Sequence, residues 1–190
     1  MSKFEKFLIR AEETSQIIKN NIITNKNTII IGHQDTDGII SSSILAKSIL
    51  KEKGRVTIRT LSSLNSDYIK QLKDSKYDFY IFTDVGSDLI EEFESRLKNK
   101  WLIIDHHKMK NQYLNHNNVF NSWYCEYDGN YEISSSGLSY FISLSMNKLN
   151  QNLCFLPIVG AISDKQERGK NRVLTGINNK IIDEAKENGF

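Results

Sequence analysis

Three short segments of the chain place carboxylates and histidines directly after apolar runs. They read GHQDTDG, FTDVGSD and IIDHHK, and they contribute seven candidate side chains: His33, Asp35, Asp37, Asp84, Asp105, His106 and His107. A fourth segment, GAISD, ends on Asp164. Imidazole and carboxylate groups suit Mn²⁺ or Mg²⁺, and no cysteine lies near them. Two divalent ions about 3.5 to 4 Å apart, joined by a bridging carboxylate, are used for in-line attack on phosphorus, and this set has enough ligands for both.

The alternative interpretation of each residue taken singly is structural. An aspartate after a strand more often caps a helix or turn than binds a metal, and the dipeptide of Asp37 and Gly38 alone indicates only a turn. Seven such residues at three strand ends favour a metal site instead. No glycine-rich phosphate loop is present, because DVGSD and IVGAISD carry single glycines, so a nucleotide-binding loop is not indicated.

The hydrophobic pattern predicts the elements that must position these residues. Strands are predicted at 28–32, 55–61, 79–83 and 101–104, and helices at 4–18, 39–53, 66–73, 88–98 and 134–149, with a further apolar helix opened by Pro157. This alternation predicts an α/β fold, a doubly wound and mostly parallel sheet with helices on both faces. Ligands bind such sheets at the carboxyl ends of the strands, where the candidate residues fall.

The segment 111–133 lacks periodicity and is rich in Asn, Tyr and Gly, so we expect an irregular surface excursion. Its polar and aromatic side chains either stack bases of a single strand or pack onto the sheet, and packing is the favoured alternative: Asn121, Trp123, Tyr124, Tyr127 and Tyr131. The following EISSSGLSYF offers Ser135, Ser136 and Gly137 either as phosphate-binding groups at a helix N-terminus or as a serine cap.

Length and composition limit the class of protein. A chain of 190 residues with a formal charge of +2 predicts one domain, and this charge balance does not by itself indicate a nucleic-acid binder. The two cysteines, Cys125 and Cys154, lack metal or disulfide spacing, so we expect two buried thiols. No signal peptide or membrane-spanning run is recognisable, and we expect a cytoplasmic protein without membrane contact.

In this order and at these separations, the four motifs resemble those of the DHH phosphoesterase superfamily. This superfamily includes RecJ nucleases, oligoribonucleases, cyclic-dinucleotide phosphodiesterases and manganese pyrophosphatases. TDVGSD, EYDGNYEISSSGLSYF and GAISDKQE are most similar to the archaeal RecJ branch, the GINS-associated nucleases, which are related to the DHH-derived subunit of the eukaryotic replicative helicase. The resemblance implies a two-metal phosphodiesterase, a 5′ to 3′ exonuclease on single-stranded DNA or RNA in replication or repair.

The resemblance also implies roles for individual residues. One Mn²⁺ or Mg²⁺ ion would be held by His33, Asp35 and Asp84. The second would be held by Asp37, Asp84, His106 and Asp164, with Asp84 bridging. His107 would contact the scissile phosphate and Asp105 would orient the histidine ligands. The catalytic set is therefore Asp84, Asp105 and His107, and no covalent intermediate is implied.

RecJ-type proteins carry a second, smaller domain with a glycine-rich motif similar to GGGH. No segment after Asp164 matches it, so we expect one DHH domain over 1–190, with a helical extension over 1–27 and without the second domain. These residues are either a fragment that ends at the interdomain linker or a protein with the DHH domain alone. Two functions of different classes follow. The first is the nuclease, and the second is a replisome scaffold that binds GINS or the replicative helicase with little or no activity. A small-molecule phosphoesterase acting on pyrophosphate or linear dinucleotides is a third alternative.

Overall fold

A five-stranded parallel sheet runs through the computed structural model, which describes residues Met1–Phe190. The strands are β1 (Asn27–His33), β2 (Arg55–Leu61), β3 (Phe79–Thr83), β4 (Trp101–Asp105) and β5 (Val119–Asn121). Their order is β2-β1-β3-β4-β5, and every neighbouring pair is parallel. The chain therefore changes direction across the sheet between β1 and β3. In open α/β sheets ligands bind at this switch point, outside the carboxyl ends of the strands.

Seven α-helices cover the two faces of the sheet. They are α1 (Lys3–Ile23), α2 (Thr36–Lys51), α3 (Ser66–Leu72), α4 (Ile90–Leu97), α5 (Ser135–Met146), α6 (Phe155–Ser163) and α7 (Gly176–Glu187). Alternate residues of the central strands point to opposite faces, so Ile30 and Ile81 join a core with α1, α2, α5 and α7, whereas Ile31 and Phe82 join a core with α3 and α4. The predicted doubly wound α/β fold is confirmed. None of the helices has the length and apolarity needed to cross a membrane.

Helix α1 packs against the body of the domain through one face. Ser2 caps it in a capping box with Glu5, and Phe7 and Ala11 are fully buried in the larger core. The buried Arg10 donates from Nη2 to the carbonyl of Val119 at 2.7 Å, which joins α1 to the edge strand β5. The residues that were predicted as a helical extension thus contribute side chains to the same core as the sheet.

The segment 111–133 differs from its predicted irregular surface course. It contains β5, whose three residues are all buried, and its Phe120 and Cys125 lie in the larger core. A three-residue strand is too short to show an alternating pattern, which explains why the sequence analysis missed it. Both cysteines are free and buried, as predicted.

Candidate metal centre

The candidate site lies at the switch point, where the carboxyl ends of β1, β3 and β4 meet. His33 is the last residue of β1, and Asp84 directly follows β3. Asp35 is the N-cap of α2 and accepts a hydrogen bond from the backbone N–H of Gly38 at 3.0 Å. Helix α2 begins three residues earlier than predicted, at Thr36. Asp37 is therefore in the first turn of α2. The segment fits both interpretations given above, in which its aspartates cap a helix or bind a metal.

The first group of ligand-type atoms combines one histidine with two carboxylates. His33 Nδ1 lies 2.7 Å from Asp35 Oδ2 and 3.8 Å from Asp84 Oδ2. One ligand atom from each of the three residues lies within 4.8 Å of the other two. His33 and Asp35 are partly exposed, whereas Asp84 is buried, so the group opens to solvent on the side of β1.

The second group shares Asp84 with the first. Asp84 Oδ1 lies 3.3 Å from His106 Nε2 and 3.9 Å from His107 Nδ1. Asp84 Oδ1 and His106 Nε2 are both buried, and neither has a hydrogen-bond partner. The two oxygens of one carboxylate thus face two different groups of ligand-type atoms, which is the placement required of a bridging ligand.

Burial and two neighbouring carboxylates disfavour ionisation of the Asp84 side chain. Desolvation, together with the charges of Asp37 and Asp105, raises the pKa of Asp84 to about 7. Its backbone has φ +62°, in the left-handed region that aspartate and asparagine tolerate better than most residues. Burial disfavours the charged form of the Asp84 carboxylate, and the neighbouring His106 Nε2 has no hydrogen-bond partner. A divalent cation fits this arrangement, because it would contact both Asp84 Oδ1 and His106 Nε2.

The orientation of His106 is fixed from the other side of its ring. Nδ1 lies 2.6 Å from the carbonyl oxygen of Gly129, and this oxygen can only accept, so Nδ1 carries a hydrogen and Nε2 faces Asp84. Burial disfavours the charged ring, but Asp84, Asp37 and Asp105 outweigh it and raise the pKa of His106 to about 10. The centre therefore attracts positive charge strongly.

Asp105 and His107 form a hydrogen-bonded pair within the second group. His107 Nδ1 lies 2.8 Å from Asp105 Oδ1, while the backbone N–H of Ser87 donates to Asp105 Oδ2 at 3.2 Å. Burial opposes ionisation of Asp105, but the hydrogen bonds and the neighbouring histidines prevail and lower its pKa to about 2. The hydrogen bond that His107 donates to Asp105 raises the pKa of His107, whose side chain is 57% exposed. Asp105 therefore orients His107 and stabilises its charged form.

Asp37 and Asp164 approach the centre from helices. The buried Asp37 accepts backbone hydrogen bonds from Ser135 at 2.8 Å and Ser136 at 3.1 Å, at the start of α5. Asp164 is the C-cap of α6, and its Oδ2 lies 3.7 Å from His106 Nε2. Asp37 lies outside the two groups whose ligand atoms fall within 4.8 Å of one another. Asp164 is not in those groups either, although it contacts His106.

The N–H groups predicted to bind substrate phosphate have internal partners. Those of Ser135 and Ser136 donate to Asp37, and that of Gly137 donates to Ser134 Oγ at 3.3 Å. All three residues are buried. In this structure the N-terminus of α5 therefore holds the Asp37 carboxylate, and a phosphate-binding role for these residues stays a prediction.

Helix α6 approaches Asp37 so closely that only glycine fits at position 160. A Cβ there would collide with Ser136 Oγ and Asp37 Oδ1. We expect Gly160→Ala to lower the free energy of unfolding by about 1–3 kcal/mol through overpacking, and to displace the Asp37 carboxylate. Urea denaturation without metal would measure the first effect, and Mn²⁺ titration the second. Lys47→Ala, at an exposed position of α2, is the control. Equal stability of the two variants would contradict the prediction.

A polar cleft of about 430 Å³ opens beside the two groups. Its lining includes five of the candidate residues and residues from the loops after β2, β3 and β4: His33, Asp35, Asp84, Asp105, His107, Ser62, Ser63, Leu64, Val85, Gly86, Ser87, Asp88 and Lys108. Only Leu64 and Val85 are hydrophobic, and none of the lining residues is a phenylalanine, tyrosine or tryptophan. The cleft therefore offers polar contacts and no aromatic ring on which a base could stack.

The aromatic segment before α5 mostly packs inward. Tyr127 is buried, and Asn121 is buried with its amide donating to the carbonyl of His107 at 2.9 Å. Trp123 Nε1 donates to the carbonyl of His106 at 3.0 Å. Neither these residues nor Tyr124 and Tyr131 line the cleft. The packing alternative describes Asn121, Trp123 and Tyr127, whereas Tyr131 is exposed. Asn121 and Trp123 hold the backbone of the DHH tripeptide in place.

Two residues that touch the ligands, and a third that contacts one of these two, were not found from the sequence. Gly129 accepts from His106, and a Cβ at this position would collide with the His106 carbonyl. Gln166 and Asn178 form a buried hydrogen-bonded pair behind Asp164. GAISDKQE contains Gln166, but no pattern in the sequence indicates its partner.

Fold and site together define an α/β protein with a histidine–carboxylate centre at the switch point of a parallel sheet. Residues 27–159 match the family described as "DHH family, N-terminal domain". The chain belongs to this DHH family, and the predicted resemblance to the superfamily is confirmed. It is 32% identical over 183 residues to an uncharacterized protein of Methanocaldococcus jannaschii, covering 93% of this chain and 41% of the relative. The chain therefore spans about two fifths of that relative.

Solved structures share the fold at low sequence identity. RecJ from Thermus thermophilus in complex with Mn²⁺ has a TM-score of 0.72 at 15% identity, over 92% of this chain and 26% of RecJ. CDC45 from Entamoeba histolytica has a TM-score of 0.71 at 16% identity, over 94% of this chain and 38% of CDC45. These similarities establish a RecJ-like fold for this chain.

Proposed function

We propose that this chain is a metal-dependent phosphodiesterase of the RecJ type, which hydrolyses single-stranded DNA or RNA from the 5′ end. The observation that carries the proposal is the buried Asp84, whose two oxygens face two groups of ligand-type atoms, with Oδ1 and His106 Nε2 left without hydrogen bonds. The structural similarity to RecJ, at 15% identity, supports the fold only. The proposed activity therefore rests on this centre and on membership of the DHH family.

We assign two ions, Mn²⁺ or Mg²⁺, to the centre. His33, Asp35 and Asp84 would hold one ion. Asp84, His106, Asp164 and Asp37 would hold the other. The carboxylate of Asp37 keeps this capacity because each oxygen that accepts one N–H still has a second lone pair. When bound, such ions lower the pKa of water towards neutrality and stabilise negative charge on phosphoryl oxygens.

The residues around the ions would position and stabilise the phosphodiester. The His107 side chain is 57% exposed and its Nδ1 contacts Asp105, so Nε2 could present a hydrogen to a non-bridging oxygen of the scissile phosphate. Asp105 favours the charged form of this ring and holds it in one orientation. Lys108 is the only lysine or arginine that lines the cleft, and we assign it to a neighbouring phosphate. The bases would extend outside the cleft, so we expect little dependence on base sequence.

Hydrolysis of labelled oligonucleotides tests this proposal. With Mn²⁺, a 5′-labelled single strand of DNA or RNA should release the labelled mononucleotide first, and the same strand labelled at the 3′ end should shorten stepwise. Chelation by EDTA should stop both reactions. Pyrophosphate and a linear dinucleotide, incubated in parallel, test the small-molecule alternative. Hydrolysis of these alone, without cleavage of the single strand, would contradict the nuclease assignment.

The same assay repeated with a GINS-type partner tests the scaffold alternative. Hydrolysis that needs the partner would support a nuclease whose substrate grip is completed in a complex. Tight binding of the partner without hydrolysis of any substrate would instead support a replisome scaffold, and it would mean that the centre has no catalytic role. These outcomes distinguish the nuclease from the scaffold, because a scaffold does not require metal-dependent cleavage.

A further inference from the structure

A buried glutamine lies directly behind the proposed metal centre. Gln166 follows Asp164 by two residues, in the turn after α6, and its backbone N–H donates to the carbonyl of Ala161 at 3.0 Å. The residue is completely buried. An uncharged amide buried at this depth has to find partners for each of its polar atoms, so its contacts reveal its role.

The amide nitrogen of Gln166 contacts one assigned metal ligand and the carbonyl that orients another. Nε2 donates to Asp164 Oδ2 at 2.8 Å and to the carbonyl of Gly129 at 2.8 Å. The same carbonyl is the partner of His106 Nδ1. Gln166 Nε2 also lies 3.3 Å from His106 Nδ1, but both nitrogens carry hydrogens here, so this contact is not a hydrogen bond. One NH₂ group therefore fixes the Asp164 carboxylate and the acceptor that orients His106.

Helix α7 determines which way the Gln166 amide faces. Asn178 Nδ2 lies 2.7 Å from Gln166 Oε1, and an NH₂ group can only donate. Gln166 Oε1 must therefore point at Asn178, which directs Nε2 towards Gly129 and Asp164. Asn178 is itself buried and anchored, because its backbone N–H donates to the carbonyl of Glu132 at 2.9 Å.

We infer that Gln166, held in one orientation by Asn178, is a positioning residue that aligns Asp164 and His106 for metal binding. The inference rests on the proposed metal centre and adds residues beyond the family match at 27–159. Purely structural packing would not require this pair, since two apolar side chains of similar size would fill the space without leaving Asn178 Oδ1 unsatisfied. The hydrogen bonds from Asn178 to Gln166 and from Gln166 to Asp164 are explained by the need to position the metal ligands.

Mn²⁺ binding followed by electron paramagnetic resonance tests the inference without any need for activity, because the sharp signal of free Mn²⁺ broadens on binding. Gln166→Met keeps the length of the side chain and removes both donors, and we expect an affinity about 10- to 100-fold weaker. Asn178→Leu removes the donor to Gln166 Oε1, one of the contacts that hold the amide, and we expect a loss of roughly 3- to 10-fold. Thermal unfolding without metal is recorded for every variant.

Asn150→Leu is the matched control. Asn150 is also a buried asparagine, but it bonds to the carbonyl of Ser143 at 2.8 Å and accepts from Lys51, away from the centre. We expect Asn150→Leu to lose stability and to keep the Mn²⁺ affinity of the wild type. Unchanged affinity in a folded Gln166→Met protein, or an equal loss in Asn150→Leu, would overturn the inference. Absence of Mn²⁺ binding in the wild type would instead refute the proposed metal centre.

Discussion

Asp84→Asn is expected to lower Mn²⁺-dependent hydrolysis by about 10³-fold or more and, at the same time, to stabilise the metal-free protein. The first effect follows because Asp84 is the residue that both groups of ligand-type atoms share. An amide cannot supply negative charge to two cations, and the charge stabilisation that bound ions provide amounts to several kcal/mol, each 1.4 kcal/mol being worth about tenfold in rate. Oligonucleotide hydrolysis in Mn²⁺ measures this effect.

The second effect follows from the burial of the same carboxylate. Because desolvation raises the pKa of Asp84 from 3.8 to about 7, ionisation of this one carboxyl group destabilises the folded state as the pH rises from about 4 to 7. Asparagine has no charge to bury, and it also tolerates the φ of +62° at this position. We expect the variant to gain about 2 kcal/mol in EDTA near pH 7.5, and the gain to shrink towards pH 4.

Thermal unfolding with and without Mn²⁺ separates the two effects. Wild type should be stabilised by Mn²⁺, since any ligand that binds only the folded state raises the unfolding free energy, and Asp84→Asn should not respond. Asp74→Asn, a change of the same chemistry on an exposed aspartate, should behave as wild type. A variant that keeps activity, or one that Mn²⁺ stabilises as much as wild type, would show that Asp84 does not bridge.

The sequence predicted those parts of the centre that depend on strand ends. The strands β3 and β4 are buried along their whole length, so their apolar runs are continuous. Asp84 and the DHH tripeptide stand where these runs stop, and they therefore lie at the carboxyl ends of the strands. His33 follows the same logic on β1. The fold class was predictable for the same reason, since strands and helices alternate with clear periods.

Contacts between distant segments were not predictable in this way. The Gly129 carbonyl meets His106 from 23 residues away, and Asn178 meets Gln166 from 12 residues away. Each pair depends on where an irregular loop or a helix start falls in three dimensions, and no period in the sequence encodes this. Asp105 and His106 are adjacent in one tripeptide but have different hydrogen-bond partners, Ser87 and Gly129. The sequence did not indicate either partner.

His107→Asn is expected to reduce kcat by about 100-fold or more while leaving Mn²⁺ affinity within about twofold of wild type. The side chain is 57% exposed, and its Nδ1 faces Asp105, so the ring is available to a substrate phosphate and is outside the assigned ligand set. Side chains that donate a hydrogen bond or proton in the transition state contribute typically 10²–10⁴-fold. Single-turnover hydrolysis at saturating Mn²⁺, together with a Mn²⁺ titration, gives both quantities.

The same substitution at His116 supplies the control for this experiment. His116 stacks on Trp101 with ring centroids 5.0 Å apart and lies 3.3 Å from Glu94, and none of these three residues lines the cleft. His116→Asn should therefore cost stability and leave kcat unchanged. If His107→Asn instead loses Mn²⁺ affinity in proportion to its rate, His107 is a metal ligand. In that case Asp105 supports the metal through His107, and the contact with the scissile phosphate must come from another residue of the cleft, of which Lys108 is the only remaining cation.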